Sequence, residues 1–170
     1  MRARSTRGSH ILDMNTSYVL VLAFAIGLIA GLRSITAPAL ISWAAHLKWI
    51  ELQNSPLSFL GSTAAAYTLT LAAIGELIAD KLPGASNRTE PFGLIARAIT
   101  GAVSGAALCI AANKSLVIGA ILGAAGGIAG GFAGYQIRTR LVRALNAPLV
   151  VALLEDAVAI GCGLFLVTRF

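Results

Sequence analysis

Six apolar runs, broken only by charge or proline, fill most of the chain, at about Asn15 to Leu32, Ser34 to Ile50, Leu57 to Ala79, Phe92 to Ala112, Leu116 to Ile137 and Pro148 to Thr168. Each holds 17 to 23 residues, the length a helix rising ~1.5 Å per residue needs to cross roughly 30 Å of hydrocarbon. With 57% hydrophobic residues, 12% charged residues and a mean hydropathy of +0.82, the chain carries too much apolar surface for one small soluble core. The expected fold class is all-α, a polytopic membrane protein of about six helices. Residues 15 to 50 are too long for one helix, and Gly31, Arg33 and Pro38 mark a break, so the second segment is short or re-entrant.

The sizeable polar connections are "KWIELQNSP", "DKLPGASNRTEP" and "RTRLVRALNAP", which leave no room for a soluble domain. Residues 14–170 therefore read as a single membrane domain. The opening "MRARSTRGSHILD" is polar and basic, unlike the apolar stretch after Met14. Residues 1–13 read as a disordered leader or a non-native tail, and they have no small-residue cleavage site of the kind a signal peptide carries.

The net charge of +6 comes from 13 Lys and Arg scattered between apolar runs. That pattern orients spans and does not make a nucleic-acid surface. With six spans, Arg33, Lys81, Arg88, Arg97, Arg138, Arg140 and Arg143 fall on one side and Lys48, Lys114 and Arg169 on the other. Seven against three places the first group in the cytoplasm. Trp43, His46, Lys48 and Trp49 cluster at the opposite level, where a belt of amphipathic rings competes with a ligand box as the reading. Cys109 and Cys162 lie in apolar runs without CxxC pairing, and His10 and His46 stand alone, so neither a disulfide framework nor a histidine metal site is expected.

The fifth run contains "GAILGAAGGIAGGFAG". Gly119, Gly123, Gly127 and Gly131 recur every fourth residue, and Gly126, Gly130 and Gly134 form a second stripe beside them. Stripes of small residues let helix backbones approach closely. The spacing and context of a nucleotide-binding glycine loop are absent. The partner is either another span or a second copy, giving a homo-oligomer through the glycine face.

"IAGLRS" at Ile29 to Ser34 recurs as "IAANKS" at Ile110 to Ser115, an offset of 81 residues. Two three-span units so related point in opposite directions, the 3+3 inverted-repeat plan of many secondary transporters. Chance matches in an Ala-rich chain are the competing explanation.

Charge inside these runs marks the candidate site. Glu76 and Asp80 share one helix face a turn apart. Glu155 and Asp156 sit in "PLVVALLEDAVAIGCGLFLV", at a similar depth from the same side. Arg33 and Arg97 open the second and fourth spans at that level. Intramembrane charges pair with one another or line a wet cavity, so Arg33, Glu76, Asp80, Arg97, Glu155 and Asp156 are the candidate binding residues. The four carboxylates are also the candidate ligands if a divalent cation binds; no other cofactor is expected. Tyr67, Thr68 and Thr70 place hydroxyls upstream of Glu76, either lining a polar path or bonding carbonyls of their own helix.

With "AGLRSITAP" at Ala30 to Pro38, "ELIADKLPGASNRTEP" at Glu76 to Pro91, "RAITGA" at Arg97 to Ala102 and "EDAVAI" at Glu155 to Ile160, the chain resembles a family of small bacterial integral membrane proteins known only as a domain of unknown function. The resemblance implies a multi-pass protein of the bacterial cytoplasmic (inner) membrane and brings no substrate. Three functions are the resulting expectations. One is a small transporter or channel-like protein whose cytoplasmic-side charges bind an ion or polar solute. The second is a metal-dependent enzyme acting on a lipid phosphate, with arginines on the headgroup. The third is a packing or assembly partner in the bilayer, for which the glycine face suffices.

Overall fold

Residues 15–80 and 91–170 are described in the computed structural model, and among them all regular structure is helical. The order is α1 (Thr16–Leu32), α2 (Thr36–His46), a short 3-10 turn (Ser58–Gly61), α3 (Thr63–Ala79), α4 (Pro91–Ala111), α5 (Leu116–Leu145) and α6 (Pro148–Thr168). The leader at residues 1–13, most of the "DKLPGASNRTEP" connection, and the cations Lys81 and Arg88 lie outside the described residues.

Local chemistry sets the boundaries. Asn15 caps α1 by accepting from the Ser17 N–H at 3.0 Å, and Ser62 caps α3 by accepting from the Ala65 N–H at 3.1 Å. Each occupies an amide that the helix itself leaves without an acceptor. Pro91 and Pro148 are the first residues of α4 and α6, where a missing N–H costs nothing. Pro38 sits in the first turn of α2 for the same reason. Asn146 ends α5 in the left-handed conformation, with φ 49°.

Three boundaries differ from the sequence expectation. The second segment forms a helix of only 11 residues, about 16 Å long and too short to cross a bilayer; its end is fixed by a turn at Lys48. The third helix starts at Thr63, because residues 58–61 wind into the 3-10 turn. The fifth continues past Ile137 to Leu145 and reaches 30 residues, since nothing in "RTRLVRAL" breaks it. The middle helices of the two halves are therefore 11 and 30 residues long and do not mirror each other. Among the described residues α4, α5 and α6 are long and apolar enough to cross a membrane, while α1 and α3 are shorter apolar helices of 17 residues.

The core is built by α1, α4 and α5. Gly27 and Gly31 of α1 meet Gly123 and Gly127 of α5 in parallel register, and Gly105, Gly101 and Arg97 of α4 meet Gly119, Gly123 and Gly127 in antiparallel register. A Cβ added at Gly123 would overlap the Gly101 carbonyl oxygen, and one at Gly126 would overlap that of Phe24. Backbones this close gain dispersion and Cα–H···O contacts that larger side chains would forbid. The partners of the glycine stripes are thus two helices of the same chain.

The short α2 is buried on most sides, through Thr36, Ala37, Pro38, Ala39, Ile41, Ser42 and Ala44. Ser42 Oγ donates to the Leu60 carbonyl at 2.5 Å, which ties the 3-10 turn to it. Trp43 turns toward α3: its indole N–H donates to Thr70 Oγ1 at 2.8 Å, and its ring packs edge-on against Tyr67 and His46. Thr70 in turn donates to the Ala66 carbonyl at 2.7 Å.

Outside the core, α3 and α6 are held more loosely. Ala66 is the buried residue of α3, which packs on α2 and the 3-10 turn. A cleft of about 430 Å³, lined by Ile35, Pro38, Leu69, Ile99 and Val103 among others, separates α3 from α4. A second, of about 170 Å³, opens between α5 and α6.

Candidate functional site

The α1–α2 turn places Arg33 and Ser34 where five helices, α1, α2, α3, α5 and α6, end or pass at one level. Arg33 has extended backbone, with φ −140°, which releases it from the α1 axis and sends its side chain inward to 1% exposure. Its guanidinium forms ion pairs with Asp80 at the end of α3 and with Asp156 on α6. Three elements distant in sequence thus meet on one cation. Asp156 is itself buried, at 8% exposure, so this pairing replaces the hydration that burial removes.

Glu76 does something different. Its carboxylate accepts from the Ser34 N–H at 2.7 Å, the Ser34 hydroxyl at 2.9 Å and the Ile35 N–H at 2.9 Å. Those amides belong to the turn that leads into α2, with Ile35 at its N-cap, and the N-terminal dipole of the helix favours a negative charge there. A carboxylate from α3 therefore supplies in trans the cap that the α2 sequence lacks.

Glu155 and Asp156 diverge, because neighbours on a helix project about 100° apart. Asp156 faces Arg33, whereas Glu155 faces α5, near Gly134 and 3.6 Å from the Arg138 guanidinium. Arg138 also lies 3.5 Å from Asp80, so it bridges the two acidic pairs. Glu155 and Arg138 stand on the wall of the 170 Å³ cleft between α5 and α6. Gly134 makes room here: a Cβ on it would press on Leu32 and come within 3.6 Å of the Glu155 carboxylate. Arg97 is buried on α4, where its backbone carbonyl meets Gly127 and its side chain runs beside Gly131.

Arg33, Asp80 and Asp156 therefore share one ion-pair cluster, which Arg138 extends to Glu155, and Glu76 joins it through the Arg33–Ser34 turn. Arg138 and Ser34 are not among the sequence candidates. An apolar run ending at Ile137 leaves Arg138 in a flanking loop; the helix-forming stretch up to "NAP" carries the contrary signal. Ser34 gives no signal, since its part is played largely by backbone. The four carboxylates do not gather as a metal-binding set: among the described residues no group of three or more His, Cys, Asp or Glu is placed to hold a metal ion. Cys109 is buried and Cys162 exposed, and both are free thiols.

No curated protein and no solved structure matches the chain. A family model described as a domain of unknown function (DUF4126) matches residues 20–168, a span that takes in α2, α3, α4, α5, α6, most of α1 and every residue of the charged cluster. The chain belongs to that family, its apolar helices fit an integral membrane protein, and the charged junction between its helices is its candidate site.

Proposed function

We propose that the protein is a small transporter or channel-like protein of the bacterial inner membrane, crossing it several times, with the Arg33 cluster as a cytoplasmic-side site for an ion or polar solute. The observation that carries this reading is the contrast between a glycine-locked core of α1, α4 and α5 and two looser helices, α3 and α6, that reach the core at this level through ion pairs. Charges within membrane helices are costly and mark solute and proton pathways, and a buried ion pair is weak evidence of a purely stabilising role. A solute that competes for Asp80 or Asp156 releases α3 or α6, each already bordered by a cleft. Local ion-pair exchange can then become a helix movement.

The orientation expected from the positive-inside rule puts Arg140 in the cytoplasm and Gln53 outside. Single cysteines at these positions should label only from the matching side of intact cells. Label at position 53 solely after permeabilisation would invert the proposed site.

Function is tested in proteoliposomes. Proton, sodium, potassium and chloride flux should be screened with dyes trapped inside, against protein-free vesicles. At least one flux should exceed the background and fall at least tenfold in Asp156→Asn, a change that keeps the size of the side chain while removing its charge. No flux above background for any of these ions, in either gradient direction, removes support for an ion-conducting role.

A further inference from the structure

At the end of α2 opposite Arg33, the helix closes with a turn of unusual composition. The Trp49 N–H donates to the Ala44 carbonyl at 2.8 Å and the Lys48 N–H to that of Ala45 at 3.1 Å, which forces the residue at this junction into the left-handed region. That residue is Lys48, with φ 58°. The other described non-glycine residues with positive φ are Asn54, Asn113 and Asn146. Asparagine tolerates this conformation, whereas lysine gains nothing from it. Backbone chemistry alone would place glycine or asparagine at position 48.

What Lys48 does gain is a position on the rim of a pocket of about 150 Å³, formed by the end of α2 and the segment leading to the 3-10 turn. Ile50 and Leu52, both buried, belong to its apolar part, and His46, Lys48, Glu51 and Gln53 supply polar groups. The imidazole is held in place: Nδ1 lies 3.2 Å from the Gly61 carbonyl and the ring packs edge-on against Trp43. Lys48 and Glu51 are both exposed and line the same pocket with opposite charges, and among the described residues neither side chain has an ion-pair partner. A simple anion would be drawn to Lys48 and repelled by Glu51, and a simple cation the reverse. A ligand carrying both charges complements both residues.

We propose that this pocket binds a small zwitterion, its ammonium group toward Glu51 and its anionic group toward Lys48. A free solute of the phosphoethanolamine type and the headgroup of phosphatidylethanolamine share this chemistry, and both are within reach of a pocket at a helix end. The inference is independent of the transport reading, because its readout is binding and its residues are not those of the Arg33 cluster.

The test uses the full chain and two variants, Lys48→Gly and Glu51→Gln. Lys48→Gly relieves the left-handed strain, so without probe its melting temperature should equal or exceed that of the parent, which removes misfolding as an explanation for lost binding. In detergent, millimolar phosphoethanolamine should raise the melting temperature of the parent by several degrees, and that rise should vanish in both variants. In nanodiscs, replacing phosphatidylglycerol by phosphatidylethanolamine should give the same variant-sensitive rise if the headgroup is the source. A response to the soluble probe alone assigns the free solute, and a response in nanodiscs alone assigns the lipid. No response to either probe overturns the proposal, as does a response that survives in either variant.

Discussion

Gly127→Leu should unfold or grossly destabilise the protein, whereas Gly161→Leu should leave it nearly unchanged. A Cβ at Gly127 would overlap the Arg97 carbonyl oxygen and crowd the carbon beneath it, while one at Gly161 would meet nothing within 4 Å. The obstructing atom is helix backbone rather than the end of a flexible side chain, so α4 and α5 must separate to admit even a methyl group. Overpacking of this kind costs about 1–3 kcal/mol and occasionally more, and a leucine against fixed backbone belongs at or beyond the top of that range. An exposed substitution that meets no neighbour stays within roughly 0.5 kcal/mol. Thermal denaturation of both variants in one detergent is the measurement. Equal stabilities would mean that the α4–α5 contact at Gly127 does not exist.

The second large effect is expected at Arg33. Arg33→Ala leaves Asp80 and Asp156 without the guanidinium that pairs with both, and breaking a buried pair from one side costs on the order of 3–5 kcal/mol. The two partners should not contribute equally. The Asp156 side chain is 11% exposed and that of Asp80 is 23% exposed, so water screens the Asp80 pair more and weakens its dependence on Arg33. Double-mutant cycles of Arg33→Ala with Asp156→Asn and with Asp80→Asn should both show coupling. The Asp156 cycle should exceed about 1 kcal/mol, as groups in one network do, and should be the larger. Strict additivity in the Asp156 cycle would show that these charges do not meet.

Two carboxylates that look alike in sequence have separate tasks in the structure. Glu76 and Asp80 occupy one face of α3, yet the first binds backbone amides at the start of α2 and the second binds guanidinium groups. Removal of the Glu76 charge therefore weakens the start of a short helix, while removal of the Asp80 charge loosens a link between helices.

Much of the architecture is set by local chemistry. Apolar run lengths give helices, and the prolines at 91 and 148 together with the serine and asparagine caps give several of their ends. The spacing of Glu76 and Asp80 puts them one turn apart whatever surrounds them. The repeat of glycine along α5 makes close backbone approach available on two neighbouring stripes. These features depend on bonds between residues within a few positions of one another, and so the sequence by itself determines them.

Tertiary structure decided the rest, because it depends on how each helix is rotated about its own axis and on what lies across from it. The glycine stripes could equally have faced a second copy; packing set them against α1 and α4. The length of α2 was decided by a turn in which Lys48 adopts a conformation that its residue type disfavours, so propensity pointed to a longer segment. Arg138 joined the acidic pairs only because α5 runs on as helix past the apolar run and brings a basic side chain back toward Asp80 and Glu155. Which carboxylate meets which cation is likewise absent from the order of residues. It is fixed by the ~100° between successive side chains on a helix, and by the glycine contacts that set α1 and α5 in register beneath them.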